Sequence, residues 1–173
     1  MSGRQVYEVF AIRYAHNATR MRNENFVFPD SHDVPMPLDY FVWVIRNEER
    51  TFVVDTGFGE VASLKRGSPL LRSTTEGLAL LGIDAAKVKD VILTHMHYDH
   101  AGGIGEFPEA TFHIQDSEMS YATGRCMCFE AMQRPFEVED VVAMVRKVYG
   151  GQAKGHDGDT ELAPGVSIHK IGG

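Results

Sequence analysis

Short runs of apolar residues, separated by polar turns, recur along most of this chain and predict more strands than helices. Residues 6–14 and 38–46 both read as strands. The second, Leu38-Asp39-Tyr40-Phe41-Val42-Trp43-Val44-Ile45-Arg46, is dense in aromatic and β-branched side chains, as a largely buried strand requires. Polar Asn47-Glu48-Glu49-Arg50 then turns the chain into Thr51-Phe52-Val53-Val54, which predicts a hairpin. Residues 15–37 form a long polar connection carrying Pro29, Pro35 and Pro37. A connection of that length inside a domain is usually functional or disordered.

Farther along, Asp55-Thr56-Gly57-Phe58-Gly59 ends the third strand with turn residues. Leu70, Leu71, Leu78, Leu80 and Leu81 predict one helix stopped by Gly82, and Asp84 is placed to cap a short turn. Val91-Ile92-Leu93 reads as a buried strand. Residues 111–115 form another, with Asp116 placed to cap the helix after it. Val138, Val141, Val142, Val145 and Val148 give residues 137–149 helical spacing, closed by Gly150 and Gly151. A last strand runs over 166–171. Hairpins early and helix–strand alternation later imply a mixed sheet with covering helices, an α/β (α+β) architecture.

Length and composition narrow the function classes. A chain of 173 residues fits one domain, and 43% hydrophobic with 24% charged residues is ordinary for a soluble globular protein. A net charge of -7 and the absence of any Lys/Arg run argue against nucleic acid as a partner. No apolar stretch approaches the roughly 20 residues that span a bilayer. The N-terminus lacks the apolar core of a secretory signal, so the expected location is cytoplasmic, with no membrane partner. Cys126 and Cys128 are too few for a disulfide framework and read as reduced thiols.

The chemistry concentrates in Thr94-His95-Met96-His97-Tyr98-Asp99-His100-Ala101-Gly102-Gly103, at the C-terminal end of the Val91–Leu93 strand, where sheets flanked by helices gather ligands. Neutral imidazole is the commonest protein metal ligand, and carboxylate oxygen suits borderline and hard divalent ions. His95 and His97 share one side of an extended segment, and a turn after them aims Asp99 and His100 at a second ion. A single tetrahedral zinc rarely draws four ligands from one short loop, so the spacing favours a dinuclear hydrolase. Two such ions share a bridging hydroxide and polarise a carbonyl or phosphoryl oxygen. Asp99 stands where a ligand carboxylate also carries a proton to the leaving group. Zinc, iron and manganese all accept these ligands.

Asp55 has two readings: a turn carboxylate bonding nearby amides, and an acceptor that orients a metal-bound imidazole. His113 and His169 fall on expected strands, and His16, His32 and His156 in polar segments, each without a role. The soft run Cys126-Met127-Cys128-Phe129-Glu130-Ala131-Met132 reads either as core packing or as an apolar wall over a substrate.

The H-x-H-x-D-H run from His95 to His100, with Val53-Val54-Asp55-Thr56-Gly57 upstream, resembles the metallo-β-lactamase superfamily. Within it the chain is most similar to the N-acyl homoserine lactonase branch, through Val34-Pro35-Met36-Pro37-Leu38-Asp39-Tyr40, Leu81-Gly82-Ile83, Phe107-Pro108, Phe112-His113-Ile114-Gln115 and Leu162-Ala163-Pro164-Gly165-Val166. That resemblance covers most of the chain. It implies an αββα sandwich of which residues 1–173 supply mainly the N-terminal half. It also implies one ion on His95 and His97 and a second on Asp99 and His100, with zinc foremost. The activity implied is quorum-quenching opening of acyl homoserine lactones, a small-molecule substrate, with a homodimer left open. The family's third His, bridging Asp and last His find no match, since neither His156 nor His169 has the right context. They are expected beyond Gly173 in a longer polypeptide, and half a sandwich alone would expose an apolar sheet face. Thioester hydrolysis resembling glyoxalase II is the enzymatic alternative, and a non-catalytic metal-binding homologue is the other.

Overall fold

A computed structural model describes residues 5–26, 28 and 30–172. Val27 and Pro29 of the long connection, residues 1–4 and Gly173, on which some sequence readings fall, lie outside these. One six-stranded sheet dominates, in the order β1 (Glu8–Asn17), β2 (Leu38–Arg46), β3 (Thr51–Val54), β4 (Asp90–Ile92), β5 (Thr111–Gln115) and β6 (Ala153–His156). The first three strands pair antiparallel and the last four parallel, which makes the sheet mixed as the pattern implied. Strand β2 and the β2–β3 hairpin fall where alternation and the Asn47 turn placed them; the Asn47 side chain accepts from the amides of Glu49 and Arg50. A separate hairpin, β7 (Thr160–Ala163) with β8 (Val166–Ile168), follows the sheet.

One sheet face carries the main core. Val42, Val44, Val53, Val91, Phe112 and Ile114 bury against Tyr14, Leu78, Ile104, Phe107 and Met144. At roughly 25 cal/mol per Å² of apolar surface, this face supplies most of the driving force for folding. Phe52 and Ile92 point the other way and are covered by Ala163 and Val166 of the β7–β8 hairpin. Beyond that hairpin's reach, Val9, Phe41 and Trp43 of the same face are exposed.

Several sequence expectations require correction. Of the helix expected through Leu70 to Leu81 only α2 (Thr74–Ala79) forms, and a helix that was not expected, α1 (Glu60–Arg66), precedes it. Pro69 lies between them, and a capping box starts α2 afresh: Ser73 Oγ accepts from the Glu76 amide while the Glu76 carboxylate accepts from the Ser73 amide. Strand β1 runs three residues past Tyr14, so His16 lies on a strand and the connection is shorter than 15–37. Asp116 does not cap α4 (Asp116–Ala122) but is its first residue, after Gln115. The last strand ends at Ile168, leaving His169 outside it, and β6 takes up His156. Residues 126–132 do not pack as core: Phe129 and Met132 are exposed along α5 (Glu130–Gln133) and the turn before it. Asp84 does cap the turn Ala85–Lys87, and α6 (Val138–Tyr149) fills its expected span.

Candidate metal centre

Strand β4 ends at Ile92 and hands the chain directly to the histidine loop, whose last part winds into the single helical turn α3 (Tyr98–Ala101). The loop is seated on the β3–α1 turn, backbone to backbone. A Cβ at Gly102 would come within 2.9 Å of the Gly57 carbonyl oxygen, and one at Gly103 would collide with the Thr56 carbonyl. Only glycine at both positions permits that approach.

Hydrogen bonds then fix each part of the loop. The Thr94 amide and hydroxyl donate to Asp55 at 2.8 and 2.9 Å. The Met96 amide donates to Glu118 of α4 at 3.2 Å, and the Tyr98 amide to the Pro135 carbonyl at 2.8 Å. The His100 carbonyl accepts from both the amide and the hydroxyl of Thr56. Phe136 sets its ring edge-on to His97, 5.0 Å between centroids. Beside it, Glu137 pairs with Lys65 and Arg66, and the Arg66 guanidinium lies 3.8 Å over the Tyr98 ring.

The four expected ligands come together. Ring centroids of His95 and His97 are 4.4 Å apart and those of His95 and His100 3.9 Å. Nδ1 of His100 lies 2.7 Å from Asp55 Oδ2, and its Nε2 lies 3.4 Å from Asp99 Oδ2. Asp55 makes the contacts that each of its two readings calls for, accepting the Thr94 amide and meeting the His100 imidazole. Its backbone, at φ 62, is the only described non-glycine residue with positive φ. Strain of this kind clusters at functional sites.

Electrostatics sorts the imidazoles. Burial, then the charge of His95, pushes His97 down to about 4, and burial with the charge of His100 lowers His95, which favours the neutral form of both rings. Burial opposes protonation of His100, but its bonds to Asp55 and Asp99 override it and raise the group to about 10. Burial likewise opposes ionisation of Asp99, yet the hydrogen bond and charge of His100 hold the carboxyl below its ordinary range.

Among the described residues, no three His, Cys, Asp or Glu side chains already stand as a finished metal site. The donor chemistry nonetheless fits divalent ions. Two neutral imidazoles sit side by side, and a third, engaged at Nδ1 by a carboxylate, presents Nε2 toward Asp99.

Four contributors escaped the sequence reading: Tyr14, whose hydroxyl donates to the Asp99 carbonyl at 2.8 Å, Glu118, Phe136 and the Arg66–Glu137 pair. They come from β1, α4, α1 and the approach to α6, and nothing local in the sequence marks them. Thr56 and Thr94 flank the motifs and were visible without a role. His113 and His156 stay apart from the centre: His113 joins His156 at 3.1 Å and Asp90 at 3.0 Å, buried near the β6 edge.

The profile of the metallo-beta-lactamase superfamily matches residues 36–172. N-acyl homoserine lactonase AttM of Azorhizobium caulinodans is 36% identical over 103 residues, 52% of this chain and 38% of that protein. Hydroxyacylglutathione hydrolase of Aeromonas hydrophila is 37% identical over 81 residues, 44% of this chain and 26% of its own. A solved quorum-quenching N-acyl homoserine lactone lactonase aligns with a TM-score of 0.69 at 23% identity, over 92% of this chain and 60% of that one. The chain thus spans less than two thirds of the length of each of these three proteins.

Proposed function

The chain belongs to the metallo-beta-lactamase superfamily and shares its fold, and from that membership we propose that it serves a metal-dependent hydrolase that opens lactone rings, N-acyl homoserine lactones foremost. The observation that carries this reading is the arrangement of His95, His97, Asp99 and His100, with Asp55 engaging His100 Nδ1 at 2.7 Å. Identity to the lactonase AttM supports the substrate class.

In this reading His95 and His97 hold one divalent ion, and Asp99 and His100 a second. Zinc is foremost, and iron or manganese also suit the donors. When bound, such ions acidify water and polarise the substrate carbonyl oxygen. Asp55 would keep a proton on His100 Nδ1, so that Nε2, once an ion displaces its proton, is the donor atom. Asp99, ionised at rest, accepts the proton that water gives up at an Oδ atom. It returns that proton to the ring oxygen as the C–O bond breaks. The product is the ring-opened hydroxy acid.

Thioester hydrolysis is the second reading, favoured by the identity to hydroxyacylglutathione hydrolase. Side-by-side rates of the zinc-loaded protein on N-hexanoyl homoserine lactone and on a glutathione thioester separate the two. Faster lactone opening is expected; faster thioester cleavage would overturn the lactonase reading. No helix among the described residues is long and apolar enough to cross a membrane, and a small-molecule substrate met in the cytoplasm fits the proposal.

A further inference from the structure

Strand β1 changes register against β2 between Arg13 and Ala15, so Tyr14 is the extra residue of a β-bulge. Bulges re-aim side chains and recur beside active sites. Here Tyr14 and Ala15 are buried in succession, and the Tyr14 hydroxyl reaches across 85 positions of sequence to donate to the Asp99 carbonyl at 2.8 Å. That carbonyl belongs to a helix of one turn, too short to satisfy it. The amide of Gly103, four residues on, is diverted to Thr56 Oγ1. Tyr14 therefore supplies the cap that the helix itself lacks.

The ring is also held firmly. Phe58 packs edge-on against it at 5.0 Å and Tyr40 lies 6.1 Å away, while a Cβ at Gly57 would touch it at 3.1 Å.

We infer that Tyr14 is a positioning residue for the centre: its hydroxyl, aimed by the β1 bulge, fixes the Asp99 backbone and thereby the place from which Asp99 and His100 receive their ion. This rests on the metal-dependent reading above. The conservative variant Tyr14→Phe keeps the ring and removes only the hydroxyl. Two measurements test it on the full chain. Amide hydrogen exchange on metal-free protein should quicken at least tenfold at Gly102 and Gly103 while Val44 and Phe112 in the sheet keep their rates. Cobalt(II) titration should show uptake weakened at least tenfold, of the size that outer hydrogen bonds to metal ligands carry, with an altered visible spectrum. Unchanged exchange in the loop would overturn the inference, as would loop and sheet amides quickening together, or unaltered cobalt(II) affinity and spectrum. If the parent chain takes up no cobalt(II) at all, the metal-dependent reading fails instead, and the exchange rates alone decide the role of Tyr14.

Discussion

Asp55 and His100, 45 positions apart, meet at 2.7 Å between Oδ2 and Nδ1, and the Asp55 backbone takes a left-handed φ of 62 to make that meeting. The same carboxylate accepts from the Thr94 amide and hydroxyl, so one side chain fixes both ends of the loop. Asn tolerates the left-handed region better than most residues. Asp55→Asn therefore preserves the turn and changes the one atom shared by His100 and the Thr94 hydroxyl. Its amide group can donate to Nδ1, which places the imidazole proton on Nε2, the atom needed for the ion. Zinc affinity should fall about 10- to 100-fold, measured by competition with a chromophoric chelator. An affinity equal to the parent's would show that Asp55 does not set the tautomer.

Gly103 tests the seating of the loop. Its added Cβ would collide with the Thr56 carbonyl, which is backbone and cannot swing away. Gly103→Ala should lower stability by roughly 1–3 kcal/mol, the range of overpacked sites. Gly105, two residues on, has nothing within 4 Å of its Cβ position, and Gly105→Ala should change stability by less than about 0.5 kcal/mol. Urea denaturation of both variants checks the contrast, and equal effects would contradict the backbone contact.

How far these features were legible depends on how local their causes are. β2, β3 and β5 took their expected bounds because each is a dense β-branched or aromatic run whose alternation selects one face. The histidine loop stood out because His95, His97, Asp99 and His100 fall within six residues of one another. β6 was not: Ala153-Lys154-Gly155-His156 has little strand preference, and its extended form comes from the parallel ladder that β5 offers. The leucines of 70–81 suggested one helix, yet Leu70 is bridged to Ala15 of β1, a tertiary contact no local pattern encodes. Tyr14 and Phe136 belong to the centre only through the fold, so their roles became visible only with it.

The buried His113–His156 pair predicts a pH dependence away from the centre. Burial, then the charges of His113 and Lys154, lowers His156 from its ordinary value of 6.5, with Asp116 opposing. Because the folded value lies below the unfolded one, the unfolded chain takes up this proton first as the pH falls. The contribution of His156 is therefore fully present above pH 6.5 and is lost as the pH drops below it. His95 and His97 act in the same direction, so the comparison is with His156→Gln. Urea midpoints at several values between about pH 5 and 7.5 should fall less steeply on acidification in the variant. Parallel curves would mean that His156 titrates alike in both states.

Asp99→Asn separates an enzyme from a binding protein on the same fold. The amide retains one oxygen and nearly the same shape, but it cannot take a proton from water and return it to the ring oxygen. Tyr14 still holds the backbone carbonyl at this position, so the loop should keep its place. If Asp99 moves the proton, lactone turnover by the zinc-loaded protein should fall by about 10²–10⁴-fold, the usual worth of general acid–base catalysis. Substrate KM should change far less, because the lost function belongs to the transition state. Zinc content of the isolated variant must be measured beside its rate, since Asp99 is also a proposed ligand. A proportional fall in zinc content and rate would make it a ligand alone, and undiminished turnover would remove Asp99 from the chemistry altogether.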